Sequence, residues 1–346
     1  MRDVEKFLHA MPKVELHCHL FGSVRRATFT ELVRRERAPI SDDEIAAFYT
    51  RGDKPAGVLR VLRALDSQLV RRPDDLHRLT LEYLEDAAAH NVRYAEFFWN
   101  PTGTARDSGM AYPVALQAIV RAIHDAEAAC GIVGRLIPAV DREASPEAAL
   151  EMVRWVVAQR CDEVVGIGID YREVDRPPEL FAQAYALARR HGLKTTAHAG
   201  EFGMPWHNVH TAVELLQVDR IDHGYTVVDN PDFAARCAER GIVFTVVPTN
   251  SYYLRTLPAD RWALDHPIRR MPGLGLHVHP NTDDPTLHHV TPTGAWLKMH
   301  RDFGFGIDTL RGFMLNGLDG AWIDATTRTR WKQGWAAEFD ALRAAA

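Results

Sequence analysis

The 346-residue sequence predicts an α/β fold, a (β/α)₈ or TIM barrel with an extra helical insertion after its first strand. Two observations lead to this prediction: short apolar runs recur along the chain, and longer segments with helical periodicity separate them. Several runs are nearly continuous in Val, Ile, Leu and aromatic residues, as expected of strands that are covered on both faces. Eight runs alternating with helices favour the barrel, and a doubly wound open sheet is the structural alternative.

The eight apolar runs are the predicted strands. In chain order they span residues 14–20, 92–99, 133–140, 164–170, 194–200, 220–224, 242–247 and 276–282. No low-complexity stretch, fixed-period repeat or long Pro/Gly/Ser linker divides the sequence. Residues 1–346 are therefore predicted to form a single domain.

Three segments between these runs carry clear helix signals: residues 76–90, 146–160 and 178–191. The first has apolar residues at fourfold spacing, which places them on one helix face. The second follows Ser145, a favoured N-cap residue, and the third ends before Gly192, a favoured residue just past a helix end.

The piece between the first two strands, residues 25–91, is longer than one crossover helix needs. Within it, residues 57–70 read as an amphipathic helix with leucines at positions 59, 62, 65 and 69. This helix is predicted to be either an extra packing helix on the barrel flank or a lid, because insertions after a barrel strand sit at the active-site face.

The composition is that of an ordinary soluble domain. The chain has 41 Lys+Arg, 46 Asp+Glu and a net charge of −5. This balance provides no positive electrostatic field that would attract nucleic acid or an anionic membrane, so neither partner is expected. The four cysteines form no CxxC pair, no run of about 18 apolar residues occurs, and the N-terminus lacks a secretory signal. The protein is predicted to be cytoplasmic.

Titratable residues stand at the ends of four predicted strands. The first strand ends in His17-Cys18-His19, where i, i+2 spacing points both imidazoles to one face, so that they can share a metal ion. The other three segments are HAGE at 198–201, DHG at 222–224 and NTDDP at 281–285. In a barrel these ends meet at one mouth, where catalytic residues come from different strands. Core packing explains any one of them but not all four together.

Taken jointly, these motifs resemble the adenosine/adenine deaminase branch of the amidohydrolase superfamily. The segment MPKVELHCHLFGS at 11–23 also resembles that family's opening, and the motifs run from His17 to Pro285 in the family's order. The resemblance implies a (β/α)₈ barrel that binds one zinc ion per subunit. It also implies hydrolytic deamination of adenosine or a related 6-aminopurine, so the expected partner is a small purine.

The resemblance also implies roles for individual residues. The four protein ligands of zinc would be His17, His19, His198 and Asp283. His223 matches the histidine that orients the attacking water and helps to take its proton, and Glu201 matches the proton donor to purine N1. Asp284 matches the residue that is hydrogen-bonded to purine N7.

Two departures from the family pattern fall on substrate recognition. Phe21 stands where family members usually carry an acid that contacts the sugar, and Arg172, a bulky cation, replaces the family's glycine, whose N–H meets purine N3. Both are predicted substrate-binding positions, and they lead to the hypothesis that ordinary adenosine is not the best substrate. Arg172 could instead pair with a neighbouring carboxylate and never meet a ligand. His207 and His279 lie close to the metal motifs, and pocket lining is left open for both.

Three hypotheses for function follow. The first is a zinc aminohydrolase acting on C–N bonds in cyclic amidines, with adenosine or a related 6-aminopurine as substrate. The second is a zinc amidohydrolase acting on another amino-substituted heterocycle or a modified aminopurine nucleoside. The third is a catalytically silent barrel used for binding, which the presence of every motif residue disfavours.

Overall fold

Eight parallel strands form one sheet in which each strand pairs with the next along the chain. The computed structural model describes residues 3–51 and 57–345. Its strands are β1 (Lys13–Glu15), β2 (Val92–Trp99), β3 (Val133–Asp141), β4 (Gly166–Asp170), β5 (Lys194–Ala199), β6 (Arg220–His223), β7 (Val243–Val246) and β8 (His277–Pro280). This order is the one that the alternation of strands and helices predicts.

The chain beyond β1 and β8 closes this sheet. Cys18 pairs with Asp283 in a parallel bridge. The Asp283 amide donates to the His17 carbonyl at 2.9 Å, and the His19 amide donates to the Asp283 carbonyl at 2.8 Å. We call residues 17–19 and 281–283 the closure seam. The barrel prediction is confirmed, and the doubly wound alternative is excluded because the first and last strands meet.

The strand bounds agree with the sequence prediction best in the middle of the chain. β2 has the predicted bounds, and β3 and β5 differ from prediction by one residue at one end. The largest difference is β1, which ends at Glu15, whereas the prediction ran to residue 20. The remainder of that predicted strand contains residues 17–19 of the closure seam, and the 3-10 turn Phe21–Ser23 follows it. Backbone groups of these two segments bond to residues after β8 and to the end of β2.

Helices surround the sheet. Those of the described residues are α1 (Val4–Ala10), α2 (Arg26–Glu36), α3 (Asp42–Phe48), α4 (Val58–Ala64), α5 (Pro73–Ala88), α6 (Pro101–Ser108), α7 (Tyr112–Cys130), α8 (Pro146–Ala158), α9 (Ala182–Arg190), α10 (Trp206–Thr211), α11 (Pro231–Glu239), α12 (Ser251–Thr256), α13 (Trp262–Asp265), α14 (Pro292–Arg301), α15 (Ile307–Gly320) and α16 (Ala325–Ala345). Across residues 3–51 and 57–345, no helix combines the length and apolar character needed to span a membrane.

The predicted helix signals act as expected. Ser145 caps α8, since its hydroxyl accepts a hydrogen bond from the Ala148 amide at 3.2 Å. Gly192 lies just past α9 with a φ of +71°, a conformation that favours glycine. The segment predicted as one helix over 178–191 begins as a 3-10 turn, Pro178–Phe181, and becomes α-helical only from Ala182.

The insertion between β1 and β2 contains α2 to α5, which confirms the predicted helical insertion. The amphipathic segment 57–70 is α4 followed by a π-helical turn, Leu65–Leu69. Leu65 and Leu69 are fully buried, as their helical spacing predicts. The π-turn places a carboxyl group, Asp66, in the core beside them, where its side chain is 1% exposed.

Burial raises the pKa of Asp66 to about 8. Its carboxyl oxygens lie 3.4 Å from the Thr104 hydroxyl and 3.4 Å from the Tyr171 hydroxyl. The charged groups that face it are Arg63, Arg106, Asp107 and Asp141. Asp66 is therefore protonated in the folded protein at pH values where an unfolded aspartate, with a pKa near 3.9, is ionised.

This difference in pKa predicts that Asp66 lowers the free energy of unfolding by an amount that depends on pH, and that Asp66→Asn removes this effect. Because the folded state keeps a proton on Asp66 that the unfolded state loses, the contribution of Asp66 to the free energy of unfolding should fall as pH rises from about 4 to about 8. The free energy of unfolding of Asp66→Asn should exceed that of the wild type at pH 8, by an amount that shrinks by up to about 1.4 kcal/mol per pH unit towards pH 5. Urea unfolding at several pH values measures this difference. A pH-independent difference would show that Asp66 is ionised in the fold.

A buried ion pair lies inside the barrel, towards the amino ends of the strands. Arg220 Nη1 donates to Glu96 Oε2 at 2.6 Å, and the two side chains are 1% and 0% exposed. Arg220 also donates to the carbonyls of Gly320 and Leu16, and its guanidinium lies 4.3 Å from the ring centroid of Trp322. These contacts satisfy two charges that would otherwise be costly to bury.

We expect Arg220→Met to lower the free energy of unfolding by about 3–5 kcal/mol, because it leaves the Glu96 carboxylate buried without its counter-charge. The matched control is Arg240→Met, which breaks an exposed pair with Glu214 and should cost about 0–1 kcal/mol. Denaturant midpoints measure both values. Equal losses in the two variants would contradict the assignment.

Candidate active site

A cavity of about 290 Å³ lies at the carboxyl ends of the strands. Titratable residues line its inner part: His19, Asp170, His198, Glu201, His223, Asp283, Asp284 and His288. Its outer part is largely apolar and includes Val58, Leu59 and Leu62 of α4 together with Tyr171 and Phe202. The four predicted strand-end motifs thus converge on one cavity, and α4 is one of its walls.

Ring nitrogens and a carboxylate oxygen face one another in the inner part of the cavity. The Nε2 atoms of His17 and His19 lie 3.1 and 3.2 Å from His198 Nε2. Asp283 Oδ1 lies 3.6 Å from His17 Nε2 and 3.2 Å from His19 Nε2. His223 also belongs to this cluster: ligand atoms of His17, His198, His223 and Asp283 all lie within 4.8 Å of one another.

These separations fit a bound metal ion. In a tetrahedral zinc site with bonds of about 2.1 Å, neighbouring ligand atoms are about 3.4 Å apart. Three imidazoles and one carboxylate suit zinc. Burial lowers the pKa of His198 to about 4, so this ring is neutral and has a lone pair to offer a metal.

Oxygen atoms lie next to the outer nitrogen of each of these three histidines. His17 Nδ1 lies 3.1 Å from the Thr245 carbonyl oxygen. The Nδ1 atoms of His19 and His198 lie 3.3 Å from carboxylate oxygens of Asp170 and Asp222, respectively. Such contacts fix the ring orientation and tautomer of metal-binding histidines. These oxygens do not belong to the predicted site residues, although Asp170 ends β4 and Asp222 is one residue from the end of β6.

Glu201 lies in the loop that follows β5, and residues from the loops after β4 and β7 hold it. Asn250 Nδ2 donates to its Oε1 at 3.1 Å, and its backbone amide donates to Glu173 at 3.1 Å. Burial, followed by the charge of Asp283, raises the pKa of Glu201 well above its usual range. A carboxyl group with this pKa is protonated near neutral pH and can act as a general acid.

His223 faces Glu201 across the cavity. Its Nε2 atom lies 3.5 Å from Glu201 Oε2, while its Nδ1 atom lies 3.1 Å from the Tyr225 hydroxyl. Burial lowers the pKa of His223 well below its ordinary value, so the ring is neutral. Its Nε2 is buried and makes no hydrogen bond within the described residues, which leaves it available to a ligand.

Asp284 lies beside Asp283 and against the turn that contains Gly22. A Cβ atom on Gly22 would lie 1.8 Å from Asp284 Oδ1, so only glycine allows this close approach. Burial, followed by the charge of Asp283, raises the pKa of Asp284 to about 8. His288, which is not one of the predicted site residues, also lines the cavity, with its Nε2 atom 3.8 Å from Asp284 Oδ2.

Three residues at strand ends adopt the left-handed conformation that is uncommon for residues other than glycine. They are Tyr171 after β4, His223 at the end of β6 and Asp283 after β8, each with a φ of 65°. All three line the cavity. Strained backbone of this kind clusters at functional sites, because the surrounding structure holds a side chain where the site needs it.

The structure places the two specificity candidates away from the cavity lining. Phe21 is 5% exposed and packs in the core. Arg172 has a side chain that is 63% exposed, and its Nε donates to Glu143 at 2.6 Å. The prediction that Arg172 contacts substrate therefore has no support from its position. His207 is exposed on α10, and His279 is buried between the carbonyls of Phe313 and Val14, so neither is among the described residues that line the cavity.

Known proteins resemble this chain over nearly its whole length. A sequence model of the family described as adenosine deaminase matches residues 12–334. An adenine deaminase of Sphingopyxis alaskensis is 36% identical over 331 residues, which cover 94% of each chain. An amidohydrolase from Burkholderia ambifaria, solved with bound zinc, superposes with a TM-score of 0.98 at 65% identity and covers 99% of this chain and 94% of its own. An adenine deaminase from Arthrobacter aurescens gives a TM-score of 0.86 at 28% identity, and the match covers 95% of this chain and 99% of its own.

Proposed function

This chain belongs to the adenosine deaminase family, and from that premise we propose that it converts adenine, the free base, to the 6-oxopurine and ammonia with one zinc ion per subunit. The chain is a hydrolytic deaminase that acts on C–N bonds, and its relatives act on purines. The observation that carries the proposal is the convergence of the predicted metal ligands, Glu201 and His223 in one buried cluster.

The cluster fits zinc in donor type and spacing. His17, His19, His198 and Asp283 would hold the ion, as the contact distances between their ligand atoms suggest. When bound, zinc supplies Lewis-acid chemistry that makes water a nucleophile near neutral pH. His223, with its free Nε2, would orient the attacking water and accept its proton.

Glu201 would bind the purine through N1 and give this nitrogen its proton. Protonation of N1 makes C6 electrophilic, water adds at C6, and the amine leaves as ammonia once it has received a proton. Asn250 and the Glu173-bound loop keep the Glu201 carboxyl at one side of the ring. Asp284, whose raised pKa leaves it protonated near neutral pH, would donate a hydrogen bond to N7.

Two features favour the free base over the nucleoside. The position of the family's sugar-binding acid is Phe21, which packs in the core and offers no acceptor to a ribose hydroxyl. The cavity of about 290 Å³ is at the small end of the range for ligand pockets. The relatives at 31% and 36% identity are adenine deaminases, which supports the same choice.

Ammonia release from the purified, zinc-loaded protein tests the proposal. The panel contains adenine, adenosine, modified 6-aminopurine nucleosides and other amino-substituted heterocycles. We expect kcat/KM for adenine to exceed that for adenosine by about 100-fold or more, since a site without a partner for the ribose hydroxyls buries them at a cost. A preference for adenosine would overturn the choice of substrate. Turnover of only a different heterocycle would favour the second hypothesis, and no turnover would favour a silent barrel.

A further inference from the structure

The helix α4 forms one wall of the cavity but belongs to the insertion between β1 and β2. Val58, Leu59 and Leu62 on this helix line the outer part of the cavity. No strand hydrogen bonds hold α4 at the mouth of the barrel, because it lies outside the sheet. Its position relative to the strand ends therefore depends on side-chain contacts.

Arg63 of α4 binds the end of β3. Its Nη1 and Nη2 atoms donate to the two carboxylate oxygens of Asp141 at 2.6 and 3.0 Å, and Nη2 also donates to Glu143 at 2.8 Å. The Asp141 side chain is 2% exposed, and that of Arg63 is 30% exposed. A bidentate pair of this kind fixes both distance and orientation, and here solvent screens it only in part.

The same guanidinium stacks on the residue that follows β4. The Arg63 Cζ atom lies 3.8 Å from the ring centroid of Tyr171. Tyr171 lines the cavity and adopts the left-handed backbone conformation. It directly follows Asp170, whose carboxylate lies 3.3 Å from His19 Nδ1. Arg63 thus links α4 to the carboxyl ends of β3 and β4 at one point behind the cavity wall.

We propose that Arg63 is a positioning residue that locks α4 and Tyr171 together as the outer wall of the cavity and so sets the affinity for the purine. Arg63 is not itself among the described residues that line the cavity, so it acts through Leu59, Leu62 and Tyr171. The effect on affinity rests on the proposed function, whereas the locking of α4 does not. Loss of the wall removes contacts made equally in the ground and transition states, which raises KM and leaves kcat unchanged.

Hydrogen exchange of the zinc-loaded protein tests the locking directly and needs no activity. In Arg63→Met, amides of residues 58–69 should exchange about tenfold faster than in the wild type, while amides of β5 to β8 should keep their protection. The matched control is Arg93→Met. Arg93 makes a similar bidentate pair with Glu338 and lies 5.8 Å from the Trp335 ring, but it contacts the C-terminal helix instead of the cavity wall. This control should leave residues 58–69 protected.

Steady-state ammonia release from adenine tests the effect on affinity. We expect KM to rise about tenfold in Arg63→Met with kcat within about threefold of the wild type and the same zinc content, and Arg93→Met to match the wild type. Arg63→Lys keeps the charge but loses the planar bidentate and stacked contacts, so it should resemble Arg63→Met. Tyr171→Leu should raise KM, and the double variant should raise it by less than the product of the two single effects.

The two measurements separate the locking of α4 from its effect on the affinity for the purine. Unchanged exchange in residues 58–69 overturns the locking. Faster exchange with an unchanged KM overturns the effect on affinity, and so does a loss confined to kcat or to zinc content. If Arg63→Met does not fold, Arg63→Lys carries both measurements. If the wild type releases no ammonia from any aminopurine, the proposed function fails, and the exchange experiment still decides whether Arg63 locks α4.

Discussion

Glu201→Gln is expected to lower kcat for adenine deamination by about 10³-fold, within the range of 10²–10⁴ that a general acid contributes. The amide keeps the size of the side chain and its contact with Asn250, but it has no proton to give to purine N1. The rest of the site should stay intact, because Glu201 is not one of the predicted zinc ligands. Ammonia release measures the rate, and atomic absorption measures the zinc content.

The control for this variant is Glu214→Gln, which changes an exposed carboxyl group paired with Arg240 on the outer surface. It should match the wild type in kcat and in zinc content. If Glu201→Gln retained activity within tenfold of the wild type, Glu201 would not be the proton donor. If it lost zinc as well as activity, the carboxylate would belong to the metal site.

Removal of zinc with a chelator is expected to abolish ammonia release, and added Zn²⁺ should restore it. The expected loss is complete, because the proposed reaction needs the metal to make water a nucleophile near neutral pH. The melting temperature should fall on chelation as well, because a ligand that binds only the folded state stabilises that state. At a free concentration of 1,000 times its Kd, such a ligand contributes about 4 kcal/mol. Activity and thermal melts, each followed against chelator concentration, measure both effects.

Asp170→Asn shows whether the predicted metal ligands depend on the outer oxygens. The Asp170 carboxylate lies 3.3 Å from His19 Nδ1 and accepts a hydrogen bond from Asn100 at 2.7 Å. The amide should weaken zinc binding by about 10–100-fold, so less chelator should inactivate the variant. Asp319→Asn, which changes an exposed partner of Lys332, is the control. If the wild-type protein kept full activity after chelation had removed its metal, the proposed metal dependence would be wrong.

The sequence predicts the architecture well because its signals are local. Apolar runs mark strands that are buried on both faces, and Ser145 and Gly192 mark helix ends through hydrogen bonds and backbone conformation that involve only near neighbours. The prediction for β1 ran too far because the end of that strand is decided by a distant partner. Residues 17–19 bond to the chain around Asp283, which local patterns do not reveal.

For the candidate site, the sequence predicts which residues meet but not what supports them. Polar strand ends indicate a shared mouth, and the cavity brings those ends together. The partners of the predicted ligands, such as Thr245, and the π-turn of Asp66 depend on register and packing. For Arg172 the sequence left two alternatives, a substrate contact or an ion pair with a carboxylate, and in the structure its side chain pairs with Glu143.

The closure seam also bears on how the protein is made. It joins His19 to Asp283, residues that are separated by roughly 260 positions. At a synthesis rate of about 5–20 residues per second, His19 is synthesised about 13–50 s before Asp283. During that time the nascent chain lacks at least one of the four predicted metal ligands. The predicted four-ligand site, and with it the proposed activity, can form only after the eighth strand has been translated and has docked beside the first.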